Sequence, residues 1–170
     1  MRILAIDPGN EESAYALIDA DTRRPIDVGK IDNHDLLRWI AGNLNLTQPP
    51  VHHVAIEMVA SYGMAVGRDV FETCVWIGRF AHHCESYVRD VELVYRRDVK
   101  LHHCGSVKAK DANITQALID RFACGEPNRG KGTKAEPGWF HGFRADIWQA
   151  YALAVLIADR ITPTTAEEAS

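Results

Sequence analysis

At 170 residues, 46% apolar and 25% charged, the chain has the make-up of one ordinary globular domain, long enough to bury a core. No apolar run reaches the roughly 18 to 20 residues of a membrane span, and Asp7 interrupts the opening apolar stretch where a secretory signal would continue, so a soluble intracellular protein is expected. The net charge of −4 argues against nucleic acid only until it is mapped: residues 1–88 carry seven Lys and Arg against twelve Asp and Glu, whereas 89–134 carry ten against six.

Residues 2–6 (RILAI) predict a buried strand, broken by the turn cluster Asp7-Pro8-Gly9-Asn10. Residues 13–18 and 26–31 predict two more strands and complete a meander. Asn33 is the expected N-cap of a helix carrying Leu36, Leu37 and Ile40, which ends around residues 42–45. Residues 51–56 predict a fourth strand with Glu57 at its end. Apolar residues at 66, 70, 74, 77, 81, 84 and 88 predict a helix over 66–88, with Trp76 and Phe80 off its main face. Residues 91–95 predict a fifth strand and 110–123 a helix. The Gly-, Pro- and Lys-rich stretch 124–142 is expected to be a mobile loop, and 144–161 a strongly apolar closing helix with Asp146 in its first turn. Strand–helix–strand units after an antiparallel start imply an α/β fold: a five-stranded mixed sheet with helices on both faces. One domain over 1–161 and a disordered polar tail over 162–170 are expected.

The four cysteines lack the spacing of a metal site. The two His-His-Cys runs, at 82–84 and 102–104, lack an accompanying CxxC or HxxxH pattern, so structural zinc is not expected.

Asp7, Glu57 and Asp146 are the informative acids. Each stands at an edge of an apolar element, where an acid is costly to bury without a cation or hydrogen-bond donors. Asp7 also suits a turn and Asp146 a helix start, but turn chemistry does not call for Glu57. If the first and fourth strands are neighbours, Asp7 and Glu57 share one end of the sheet. Carboxylates gathered there suit a hard cation such as magnesium, and such ions can promote phosphodiester hydrolysis.

Four stretches together resemble RuvC-type Holliday-junction resolvases of the RNase H-like superfamily, with phage-encoded members the nearest pattern. They are ILAIDPGNEESAYALID, VAIEMVASYGMAVG, KAKDANITQALIDRF and RADIWQAYALAVLIAD, in the family's order and over most of the chain. The resemblance implies an RNase H-like fold and a magnesium-dependent endonuclease, with manganese as an alternative and a pair of ions per site. It also implies metal ligation by Asp7, Glu57 and Asp146. The family's closing helix usually carries a second acid three residues later, where this chain has Gln149, a weaker carbonyl ligand. Asp111 is a further ligand candidate.

Branched DNA is the implied substrate, in the cytoplasm of a bacterium or a phage-infected host. Lys108 and Lys110 are the first expected phosphate contacts, followed by Arg96 and Arg97, then Lys131 and Lys134. Tyr62 is the candidate to stack at the branch point. A homodimer is implied by the need to cut two strands, and the spacing of the 66–88 helix suits a partner helix as well as its own sheet. Two alternatives share the fold: a YqgF-type RNA-processing nuclease, and a degenerate branched-DNA-binding module without catalysis. An actin-like ATPase half is excluded by length, since that cleft needs two domains.

Overall fold

The computed structural model describes residues 1–46, 49–61, 63 and 65–161. Three strands, β1 (Arg2–Asp7), β2 (Glu12–Asp19) and β3 (Pro25–Asp32), lead into helix α1 (Asn33–Leu46). Strand β4 (Val51–Met58), helix α2 (Arg68–Glu85) and strand β5 (Asp90–Tyr95) follow. Helices α3 (Arg96–Cys104), α4 (Asp111–Phe122) and α5 (Ile147–Ile161) complete the described chain. The sheet order is β3-β2-β1-β4-β5, antiparallel across the first three strands and parallel from β1 through β4 to β5. The expected pairing of first and fourth strands is present, with Ala5 beside Ala55 and Ile6 beside Ile56. No helix among the described residues is long and apolar enough to cross a membrane.

Alternation along the strands divides the core in two. Ile3, Ala5, Ala14, Ala16 and Ala55 face α5, which is buried from Ile147 to Ala158. Leu4, Ile6, Tyr15, Val54 and Ile56 face α1 and α2. Burial of α5 all round follows from its composition, because it has no polar stripe before Asp159.

Four local expectations are corrected. Helix α2 covers Arg68–Glu85, and its buried face is Thr73, Ile77, Phe80 and Cys84. Phe80 is therefore core, and Val66 is exposed; a threonine counted as polar had concealed the true stripe. Helix α3 has no counterpart among the expected elements, because Val99 is its one fully buried residue and apolar spacing gives no signal. Segment 124–142 is irregular but folds back on the core: Phe140 is fully buried and its N–H donates to the Gly130 carbonyl at 2.8 Å. Finally, Asp32 rather than Asn33 caps α1, its Oδ1 accepting from the His34 N–H at 2.8 Å.

The His-His-Cys runs occupy the last turns of α2 and α3, where helix C-termini favour His. His83 meets the Leu37 carbonyl, His103 the Ala152 carbonyl, and His102 the Asp159 carboxylate. Burial lowers His103 to about 4, so its ring is neutral at physiological pH.

Near the end of α5, Asp159 ties distant elements together. It accepts from Arg23 in the β2–β3 turn at 3.1 Å, from Arg121 of α4 at 2.6 Å, and meets His102 of α3 at 2.8 Å. Burial alone would raise its pKa, but Arg121 and His102 outweigh burial and hold it below the ordinary value of 3.8. A depressed carboxylate stabilises the fold fully above its unfolded pKa, and that contribution is lost as pH falls toward the folded value. Asp159→Asn should therefore cost about 3 kcal/mol at pH 7. Urea melts should show the gap to wild type closing below about pH 4; an equal gap at pH 7 and pH 3 would contradict this.

Candidate active site

Strand register and helix packing place the acids on one face, near enough for their charges to act on one another. Asp7 ends β1 two residues after Ala5, and Glu57 follows Ala55 by the same step, so both side chains lie on the α5 side. Asp146 immediately precedes α5 rather than standing in its first turn. Its carbonyl accepts from the N–H groups of Gln149 (2.9 Å) and Ala150 (3.1 Å), as an N-cap residue does. The preceding Ala145 has a left-handed φ of 40°, the turn that sends the chain into the helix.

The loop after β1 is pinned from beneath. Asn33, fully buried, donates to the Gly9 carbonyl at 3.0 Å, and its Oδ1 accepts from the Ser13 hydroxyl at 2.5 Å. The Gly9 N–H in turn donates to Ser13 Oγ at 3.2 Å. A Cβ at Gly9 would stand 2.4 Å from the Glu12 carbonyl oxygen, which explains glycine there.

Two cations enter the cluster. Lys30 Nζ donates to Asp146 Oδ2 at 2.6 Å. Arg96, the first residue of α3, bridges Glu57 Oε2 at 2.9 Å and Asp111 Oδ1 at 2.7 Å. Arg96 is thus held inside the acid cluster in this structure rather than displayed to solvent. Among the described residues Asp7 has no cation within ion-pair distance. Burial, reinforced by the charge of Glu57, raises its pKa well above the ordinary 3.8, although Arg96 opposes the rise. Burial also raises Glu57, against the pull of Arg96. The hydrogen bond to Asp146 raises Lys30, which therefore keeps its charge.

A polar cleft of about 430 Å³ opens between Asp7, the Gly9 loop, Lys30 and Asp146. A second cleft of about 390 Å³, lined by Asp111, Arg129, Trp148 and Gln149, joins it at Asp146. Gln149 is 6% exposed, and its Oε1 is buried with no hydrogen-bond partner.

Among the described residues no three His, Cys, Asp or Glu side chains already converge as a metal cage. Lys30 and Arg96 instead hold the carboxylates. The donor chemistry nonetheless fits a hard divalent cation: oxygen ligands alone, one ion-unpaired acid, and an unsatisfied amide oxygen beside Asp146.

The other expected contacts are dispersed. Lys108 and Lys110 are exposed just before α4, and the Lys110 N–H donates to Asn113 Oδ1 at 2.8 Å. Arg97 and Lys100 line a cleft of about 410 Å³ beside Arg96. Lys131 is half-buried and Lys134 exposed in the segment before α5. Tyr62 lies outside the described residues.

The chain matches no protein-family model and no curated protein sequence. Among solved structures it is similar to RuvC of Thermus thermophilus, at 15% identity and a TM-score of 0.62, covering 95% of this chain and 96% of that one. It is also similar to T. thermophilus RuvC in complex with Holliday junction substrate, at 13% identity and a TM-score of 0.63, covering 95% and 94%. The fold is accordingly RNase H-like, of the RuvC arrangement.

The crowding of acids has a measurable cost. A carboxyl whose folded pKa is raised weakens the fold as pH climbs through that value and costs nothing below the unfolded pKa. Asp7→Asn should therefore raise Tm by about 3 °C at pH 8 in EDTA, with the gain fading toward pH 4. A destabilised Asp7→Asn variant in that buffer would show that Asp7 is an unstrained structural residue.

Proposed function

We propose that the protein is a metal-dependent, structure-selective endonuclease that resolves four-way DNA junctions. The observation that carries this is the gathering of Asp7, Glu57 and Asp146 at one end of an RNase H-like sheet. The likeness to RuvC, including RuvC with a junction substrate, supports the same reading. Asp7, Glu57 and Asp146 would hold magnesium or manganese, with the Gln149 amide oxygen as a neutral ligand. When bound, such an ion lowers the pKa of water and offsets charge building on the phosphate.

The chain's own residues position the DNA and shape the cleft. The reaction is direct hydrolysis: a water oxygen bonds to phosphorus as the bond to the 3′ oxygen breaks, leaving a 5′-phosphate and a 3′-hydroxyl. No side chain forms a covalent intermediate. Lys108 and Lys110 project from the turn that delivers Asp111 and grip the flanking backbone. Arg97 extends this basic surface on α3, and Lys131 and Lys134 supply it from the segment before α5. Arg96 acts closer in, as the counter-ion that keeps Glu57 and Asp111 together. Tyr62 is assigned to the branch point on its place in the sequence after Glu57.

Two copies cut the two opposing strands. The outer face of α2 suits a second copy, because Phe71 and Val75 are 62% and 61% exposed on a helix whose other face covers the sheet. Gln149 and the paired carboxylates favour one competing reading, a branched-DNA-binding module that no longer cuts.

A labelled four-way junction and a linear duplex of the same sequence separate these readings. With magnesium the wild type should nick the junction in symmetric pairs. EDTA or Asp7→Asn should abolish cutting while the mutant still binds. Binding without cutting in either metal would establish the non-catalytic module. Failure to bind would redirect the search to structured RNA, the substrate class of the YqgF-type alternative. Replacing Lys108 and Lys110 by Ala should lower the slope of log affinity against log salt by about 1.8. An unchanged slope would remove both lysines from the interface.

A further inference from the structure

Strand register puts a lysine where a carboxylate site has no evident use for one. Asp7 of β1 is paired with Ala14 of β2, and Ala14 with Lys30 of β3, so the three residues form a row across the sheet. Cross-strand partners project on the same face. The row therefore runs along the α5 side, and Ala14 is too small to block it. Lys30 reaches over Ala14 to Asp146, and its side chain remains 30% exposed at the cleft.

The charges can be counted. Four carboxylates (Asp7, Glu57, Asp111 and Asp146) face two cations, Lys30 and Arg96. At the rim the tally is level, with Glu11 and Glu12 lining the same cleft as Lys30, Arg129 lining the cleft of Asp111, and Lys100 near enough to act on Glu57. Two uncompensated negative charges remain, the charge of one divalent ion. The neutral Gln149 adds an oxygen but no charge to draw a second ion. Like charges crowded without compensation are expensive to bury, so the count limits occupancy.

We propose that Lys30 is a built-in cation of the site, standing in for one of the two metal ions expected of it and leaving a single divalent ion, carried by Asp7 and Glu57. This rests on the nuclease reading above. It narrows the ligand set of that reading to Asp7 and Glu57, because the Asp146 end of the cleft goes to an ammonium group, and it makes Lys30 a positioning residue that holds Asp146 in place. A lysine that served only as a phosphate contact would leave metal occupancy unchanged when removed.

The test is a manganese titration of the free protein followed by electron paramagnetic resonance, which reads bound against hydrated ion without relying on activity. The wild type should bind one Mn²⁺ per chain; Lys30→Met, which leaves three uncompensated charges and frees Asp146 as a ligand, should bind a second ion, more weakly than the first. Lys30→Arg, which restores a positive charge, should return the stoichiometry to one. Melting curves in EDTA check that each variant folds, and the exposure of Lys30 makes loss of folding easy to avoid. Two ions in the wild type, or one in Lys30→Met, would overturn the inference while leaving the nuclease reading intact. No bound ion in any of the three proteins would overturn both.

Discussion

The polar end of this molecule depends on how closely α5 lies against the sheet. The sheet offers Ala5, Ala14, Ala16 and Ala55 to that contact, and the helix carries Ala150, Ala152, Ala154 and Ala158, all fully buried. Alanine on both sides lets two backbones approach closely, and dense packing leaves the arrangement little freedom to shift. A larger side chain at Ala5 or Ala55 would lift the helix start from the strand ends, carrying Asp146 and Gln149 away from Asp7 and Glu57. Packing in the core thus sets the distance between groups that never touch it.

The same contact creates an electrostatic problem. Bringing four acids to one sheet end is unfavourable unless positive charge accompanies them. Lys30 and Arg96 answer from opposite sides, one from an edge strand and one from the first turn of α3. Asp7 is left over, with its carboxyl raised by burial and by Glu57. A carboxyl kept in that condition does not serve the stability of the fold. Arg96 also joins α3 and α4 to the sheet through Glu57 and Asp111, so the local structure of the basic surface is coupled to the acids.

At the far end of α5, Asp159 performs the complementary task. Arg23, His102 and Arg121 converge on it from three elements and fix the helix where its apolar face runs out. One helix therefore has an acid at each end. Asp159 is saturated with donors and serves stability, whereas Asp146 is half-exposed beside two clefts and an unsatisfied amide oxygen. The contrast follows from the number of donors around each carboxylate, not from residue type.

Much of this was legible in the chain. Apolar runs and turn clusters set the five strands and their order, and the acids closing the runs RILAI and VHHVAI marked one end of the sheet, because alternation fixes which face each side chain takes. Asp146 was visible as an acid at the start of an apolar helix, and the basic bias of 89–134 removed the objection that the net charge raised to a nucleic-acid partner. Helix α3 was not legible, since one buried valine carries no periodic signal. Nor were the roles of Lys30 and Arg96: their neighbours are 116 and 39 residues away in the chain. A hint existed in the spacing of Lys30 from Val28, which places a lysine on the inward face of β3. The sequence by itself determined the five strands, the faces their side chains take and the acids at their ends, because those follow from local alternation. The tertiary structure alone decided which cation meets which carboxylate, because that depends on the β2–β3 register and on where α3 leaves β5, and neither is encoded within a single segment.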